Sequence, residues 1–332
     1  MADLNQGAPK DCNGRRKDVN GRTDCVVYSR GQIGDSMLRF MLREAGRTGL
    51  GLIGAVLLAA AISALAVPGA GDGLWHFLVA WGRTLDAFAH LNLGQSAMTG
   101  VPAREELATR LPLTLGLVLE GLVVALLVGI PVGFLFGAGP ARRAAAPLVQ
   151  VLSAAPIFCA GLALAFVAAD LLHWPVPRGT GDAANLMLIP KDARELEILL
   201  LPVLTVGLSG AAAAQLALRR AGAESARQPW RAQLRRMGLG AWEIETVYGV
   251  PRIFAGLLAD FGEVMLALFS AAAVAEWVFN YAGAADLFVK SVALHDWAIV
   301  SPILLSFAGL TMIADLLGRC AAYPLVATGA AP

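Results

Sequence analysis

Few side chains in this sequence could do chemistry, and their settings limit what that chemistry would be. Three carboxylates, Glu120, Glu263 and Glu276, fall inside or at the end of strongly apolar stretches. A charge at the centre of a bilayer costs roughly 2.5–3.5 kcal/mol on insertion scales, so an ionisable residue there calls for a partner or a hydrated path. One reading has the three lining a translocation path and meeting cationic or polar groups of a solute. The other has them capping, snorkelling or hydrogen-bonding to neighbouring helices. For Glu276, at the outer end of its stretch, stabilising the following turn is the nearer role. Asp315 lies close to Arg319 and reads as an interfacial pair.

No catalytic constellation accompanies them. There is no G-x-x-x-x-G-K-[ST] loop to cradle phosphate, no H-E-x-x-H and no G-x-S-x-G. His76, His90, His173 and His295 are far apart and lie outside the centres of the apolar runs, a poor metal set. The four cysteines form no framework. Cys12 and Cys25 lie in a tail where thiols stay reduced, without the second pair or nearby histidines that zinc would want. Cys159 and Cys320 sit in or beside apolar runs as packing residues. No cofactor is implied for this chain, and no nucleic-acid partner.

The elements that must position these residues follow from composition. Hydrophobic residues make up 57% of the chain and charged ones 15%, against roughly 45–50% and about 25% in soluble proteins. The surplus collects in runs at residues 49–67, 111–138, 147–172, 198–218, 256–279 and 298–317. Each approaches or exceeds the about 20 residues a helix needs to cross the hydrocarbon. Unpaired backbone groups in lipid cost several kcal/mol, so helices are the expected conformation. Continuous runs also lack the alternation of a membrane β-barrel. The fold class is therefore all-α and polytopic, with about six transmembrane helices and both ends on one side.

Charge gives the direction. Counting only residues near the spans, fourteen Lys and Arg lie on the side of the termini and seven on the other, which predicts cytoplasmic N- and C-termini. About 48 mostly polar residues precede the first run, an arrangement unlike a cleavable signal peptide. Residues 1–34 read as a disordered cytoplasmic tail, and 35–325 as the transmembrane domain. After the first span, Pro68 and three glycines cannot continue a helix. Beyond them, Trp75, Phe77, Trp81 and Phe88 suggest an amphipathic helix at the interface.

The most informative segment is the cytoplasmic loop 219–255. Pro229 suits the first helical position and Gly238 the position just past the end. Between them Trp230, Leu234 and Met237 recur at i, i+4 and i+7 and share one face. Arg231, Arg235 and Arg236 lie away from that stripe, near the end that cations favour. Such a helix can lie on lipid headgroups or insert into a groove on another protein. It can also be a basic loop that only fixes orientation.

Several stretches, in order, resemble one family. Leu91-Asn92-Leu93-Gly94-Gln95-Ser96 is similar to an external "DLGxS", and Arg110-Leu111-Pro112-Leu113-Thr114-Leu115 to "RLPxTL". Gly129-Ile130-Pro131-Val132-Gly133 is similar to "GIPLG", Ala155-Pro156-Ile157-Phe158 to "IPSF", and Leu200-Leu201-Pro202-Val203-Leu204-Thr205 to "LLPALT". Glu276-Trp277-Val278-Phe279 with Gly283 resembles "ETVFxxPG", His295-Asp296-Trp297 "RDY", and Asp315-Leu316-Leu317 "DLL". From about residue 36 to 324 the chain resembles the inner-membrane permease subunits of binding-protein-dependent ABC importers. The likeness is strongest to the B-type permease of dipeptide, oligopeptide and nickel systems.

The resemblance implies a type I importer permease in the cytoplasmic membrane. It would pair with a second homologous permease and two ATPase domains, and take peptides or similar small solutes from an extracytoplasmic solute-binding protein. ATP would sit on the partner subunits. The loop would carry the "EAA" docking helix, with Trp230, Arg231, Leu234, Arg235, Met237, Gly238 and Leu239 as the coupling contact. Leu234, Arg236 and Met237 stand where that motif usually has two alanines and a lysine. Pro251 stands in a helix that is usually continuous, and predicts a break or kink there. Two other classes stay open: a non-transporting membrane scaffold descended from such a permease, and an ion-coupled secondary carrier.

Overall fold

The computed structural model describes residues 15–17, 23–25, 30–65, 67, 73–90, 92–97, 99–135 and 193–328, with isolated positions at 163, 166, 167 and 170. Nearly all of this is helix. A short antiparallel pair, β1 (Arg15–Lys17) and β2 (Thr23–Cys25), precedes α1 (Arg30–Ala64). The tail expected to be without order therefore contains paired strands, and its last residues are already helical. Asn20-Gly21 between the strands is the sequence signal for such a pairing.

Then follow α2 (Leu74–Ala89), α3 (Ala103–Leu135), α4 (Ala193–Arg227) and the short α5 (Trp230–Arg236). A stretch at Ala241–Glu243 runs through a π-helix, Ile244–Gly249, into α6 (Val250–Ala259). The chain closes with α7 (Phe261–Val278), α8 (Ala284–Ala293) and α9 (Trp297–Thr328). Among the described residues five helices are long and apolar enough to cross a membrane: Met37–Ala64, Ala103–Phe134, Leu199–Arg227, Phe261–Val278 and Trp297–Val326. The expected span at 147–172 lies outside the described residues, as do the turn at 139–143 and Cys12, Cys159 and His173.

Real boundaries differ from hydropathy in readable ways. α3 starts eight residues before the apolar run because Glu105 and Glu106 in its first turn favour a helix N-terminus. The run at 256–279 is two helices, broken at Asp260, whose backbone (φ −96°, ψ 15°) leaves the helical region. Pro251 lies within a helical stretch that continues from 241 to 259, the backbone staying right-handed helical at Gly249 and Val250 just before it. The irregularity it imposes is taken up just upstream, in the wider turns of the π-helix.

The core is α3, α4 and α7. Leu117, Val118, Val206, Val264 and Leu268 are buried there, and Phe269 stacks on Phe307 of α9 at 5.0 Å. α3 and α4 approach through small residues: a Cβ on Gly129 would lie 2.9 Å from the Ala211 carbonyl. In a bilayer, where lipid is as apolar as leucine, such close backbone approach drives helix association. α1 packs on α9, tied by a Ser63–Ser301 hydroxyl pair at 2.7 Å and by Phe40 stacked on Tyr323 at 4.8 Å. Its Leu50, Ile53 and Leu58 face outward, as a lipid-facing helix requires. α2 is the amphipathic helix expected from its aromatics. Trp81 Nε1 donates to the Leu57 carbonyl at 3.1 Å while Trp75 stays exposed.

Candidate functional site

The loop helix α5 is built locally. Pro229 caps it, and Gly238 at φ +88° ends it. The Gly238 N–H donates to the Arg235 carbonyl at 3.1 Å and the Leu239 N–H to the Leu234 carbonyl at 3.2 Å. This Schellman arrangement occupies the last carbonyls, and a left-handed residue there is nearly free only for glycine. Both helix ends thus lie within a residue of where Pro229 and Gly238 predicted them.

The expected docking face does not survive intact. Leu234 is buried. Trp230 is half-buried, 6.3 Å from the Tyr248 ring, with the Arg252 guanidinium 4.5 Å over its ring and that of Arg231 at 5.2 Å. Arg231 is a strap. Its Nη1 donates to Glu245 Oε2 at 2.7 Å, and its Nη2 to Glu245 Oε1 and Ser225 Oγ, each at 3.2 Å. These contacts fasten α5 to the end of α4, the π-helix and α6. A bidentate arginine–carboxylate pair adds geometric restraint as well as energy.

What faces outward is a different set. Arg235, Arg236, Met237 and Gly238 are exposed, and Leu239 is half-buried. Met237 is 65% exposed and Trp242, just beyond the Schellman turn, 81%. Trp242 is absent from the sequence-derived set because the i, i+4, i+7 pattern stops at Gly238. Its signal was a tryptophan inside a polar loop. Met237 and Trp242 are thus two exposed apolar side chains five residues apart, the first directly following two exposed arginines in sequence. Such a surface fits a groove with an acidic rim on a protein, since aromatic, methionine and arginine side chains are the ones that favour interfaces.

The three carboxylates separate. Glu276 is fully buried. It accepts from Thr114 Oγ1 at 2.6 Å and from the backbone N–H groups of Asp286, at 2.8 Å, and Ala285. Thr114 Oγ1 in turn accepts from the Ala284 N–H at 2.8 Å. A Cβ on Gly283 would fall within 2.4 Å of that carboxylate, so only glycine fits. Glu276 is thereby a latch joining α3, α7 and the start of α8, which assigns it to the turn and not to an open path. A second latch lies nearby: Asp296 Oδ2 accepts from Ser96 Oγ at 2.6 Å and the Ala97 N–H at 3.1 Å.

Glu263, in the first turn of α7, is half-exposed and accepts from Arg220 Nη1 at 2.8 Å. Glu120 is half-buried on α3, near Tyr281. Burial pushes the Tyr281 phenol up to about 12, with the Glu276 and Glu120 carboxylates adding to it. Glu120 and Glu263 both stay open as candidates for the path. Among the described residues no group of three or more His, Cys, Asp or Glu is placed to hold a metal.

Two comparisons bear on this arrangement. The family described as "Binding-protein-dependent transport system inner membrane component" matches residues 121–321. The chain is also similar to the "Probable D,D-dipeptide transport system permease protein DdpB" of Escherichia coli (strain K12). It is 27% identical to that protein over 259 residues, which cover 71% of this chain and 76% of the relative.

Proposed function

We propose how this chain works from the premise that it belongs to the inner membrane components of binding-protein-dependent transport systems; it is a multi-pass permease subunit of an importer. The chain forms the solute path together with a second, homologous permease. Two ATPase domains on separate chains supply the energy, and an extracytoplasmic binding protein delivers the solute. Nucleotide-driven movement enters at α5, passes through the Arg231–Glu245 strap and the Trp230–Arg252 stack into α6, and tilts α7 about the break at Asp260. N- and C-termini face the cytoplasm, which the excess of Lys and Arg on the loop side supports. Peptides are the solute class, supported by the name of the Escherichia coli relative. The chain has no nucleotide site of its own.

One observation carries this reading. A loop helix clamped to the membrane helices by buried and bidentate contacts still presents Met237, Trp242, Arg235 and Arg236 to the outside. A helix held rigidly on one side and left apolar on the other is what force transmission from a partner requires. The test is co-purification of the detergent-solubilised chain with the candidate ATPases, followed by uptake in proteoliposomes that also hold the second permease and are supplied with the binding protein. The expected result is ATP-dependent uptake and capture of the ATPases, both lost in Trp242→Asp. Uptake that persists without ATP and collapses with an ionophore would point to a secondary carrier. Failure to capture any ATPase, with no uptake, would point to a scaffold.

A further inference from the structure

A cavity of about 600 Å³ opens between α1, α4, α6 and α9, at the same end of the molecule as α5. Its walls carry Glu44, Glu224, Arg252 and Arg319, with Phe40, Tyr323 and Val326 as the apolar part. Depth decides what it faces. Glu44 lies about 20 residues from the far end of α1 and Arg319 about 22 from the far end of α9, which at 1.5 Å per residue is roughly 30–33 Å. That is the thickness of the hydrocarbon core, so the cavity sits where acyl chains give way to headgroups, in the leaflet on the loop side.

The wall chemistry asks for both signs of charge. Arg319 donates to Asp315 at 2.9 Å and lies 3.6 Å from Glu44, and a guanidinium has five N–H donors to share. Arg252 is stacked over Trp230, and it shares the cavity wall with Arg319. Glu224 is exposed and has no ion pair among the described residues. We propose that this cavity binds the headgroup of a zwitterionic aminophospholipid, its phosphate against Arg252 and Arg319, its ammonium against Glu224, and its acyl chains leaving past Val326. Glu44 is already paired with Arg47 and Arg319, so a purely anionic headgroup would set its charge against Glu224 with no ammonium to answer it. A water-soluble zwitterion would leave Val326, 49% exposed at the mouth of the cavity, without an apolar partner. The bound lipid would lie directly behind the Trp230–Arg252 stack, underneath the outward face of the loop. The inference goes beyond the transport reading and requires only that the helices cross a bilayer.

The experiment equilibrates the full-length chain in mixed micelles holding equal amounts of phosphatidylethanolamine and phosphatidylglycerol, and counts retained lipid by native mass spectrometry. Phosphatidylethanolamine is expected to be retained in preference. Glu224→Gln should lower that retention about tenfold, the loss of one charge-assisted hydrogen bond. Val326→Trp, which fills the exit from a half-exposed position, should lower it while the melting temperature holds. Equal retention of the two lipids, a preference for phosphatidylglycerol, unchanged retention in both variants, or displacement of the lipid by dialanine would each overturn the proposal. None of these outcomes depends on whether an ATPase docks.

Discussion

The two ends of this permease handle polar and apolar surface in opposite ways. At the end bearing α8, Glu276, Thr114, Asp296 and Ser96 are buried and bonded to one another or to backbone N–H groups across three helices and a turn. At the loop end, α5 is fastened by Arg231 and Trp230 yet leaves Met237, Trp242 and two arginines in solvent. Both oxygens of Glu276 are bonded, whereas Asp296 is held through Oδ2 alone; a buried carboxylate so bonded rigidifies its surroundings, because breaking the set costs far more than a surface pair contributes. An exposed tryptophan is surface that a second protein can cover. The difference separates a closed frame from a contact left open.

Substitutions in the frame should have the largest effect. Glu276→Ala would strand the Thr114 hydroxyl and two backbone N–H groups, and should destabilise by about 3 kcal/mol or more. The measurement is thermal loss of monodispersity in detergent, and a near-wild-type midpoint would mean that Glu276 is not a latch. Next comes the fastening of the loop: Trp230→Ala deletes a half-buried ring and its cation stack, and should cost about 2 kcal/mol. Hydrogen exchange would show it, with faster exchange confined to residues 225–252. Gly238→Val forces a branched residue into the left-handed region, at roughly 1–2 kcal/mol; it should unwind the end of α5 while leaving the frame untouched. Arg220→Ala, which deletes the exposed pair with Glu263, should change stability by less than about 1 kcal/mol. A large effect there would mean that Glu263 is not the surface residue its exposure indicates.

What could be read from the sequence was whatever depends on neighbours along the chain. Six apolar runs foretold the membrane helices, and five are among the described residues. Pro229 and Gly238 bounded α5 because a fixed φ and a left-handed φ are local demands. Which face of α5 turns inward was not legible. It depends on Glu245, fourteen residues from Arg231, and on Arg252 beyond a π-helix that periodicity does not foresee. The partners of Glu276 and Asp296 lie 162 and 200 residues away. The motifs containing Thr114 and Glu276, or Ser96 and Asp296, could each be recognised. That they meet in pairs is a statement about packing.

Trp242 is the contact and Trp230 the fastening, so the most direct measurement compares Trp242→Ala with Trp230→Ala in one assay of melting temperature and ATPase affinity. The expectation for Trp242→Ala is an unchanged melting temperature and an affinity for the ATPases at least about tenfold weaker, as for an exposed aromatic that anchors an interface. Trp230→Ala should lower the melting temperature first. Wild-type affinity and uptake in Trp242→Ala would contradict the assignment of the open face to the ATPase.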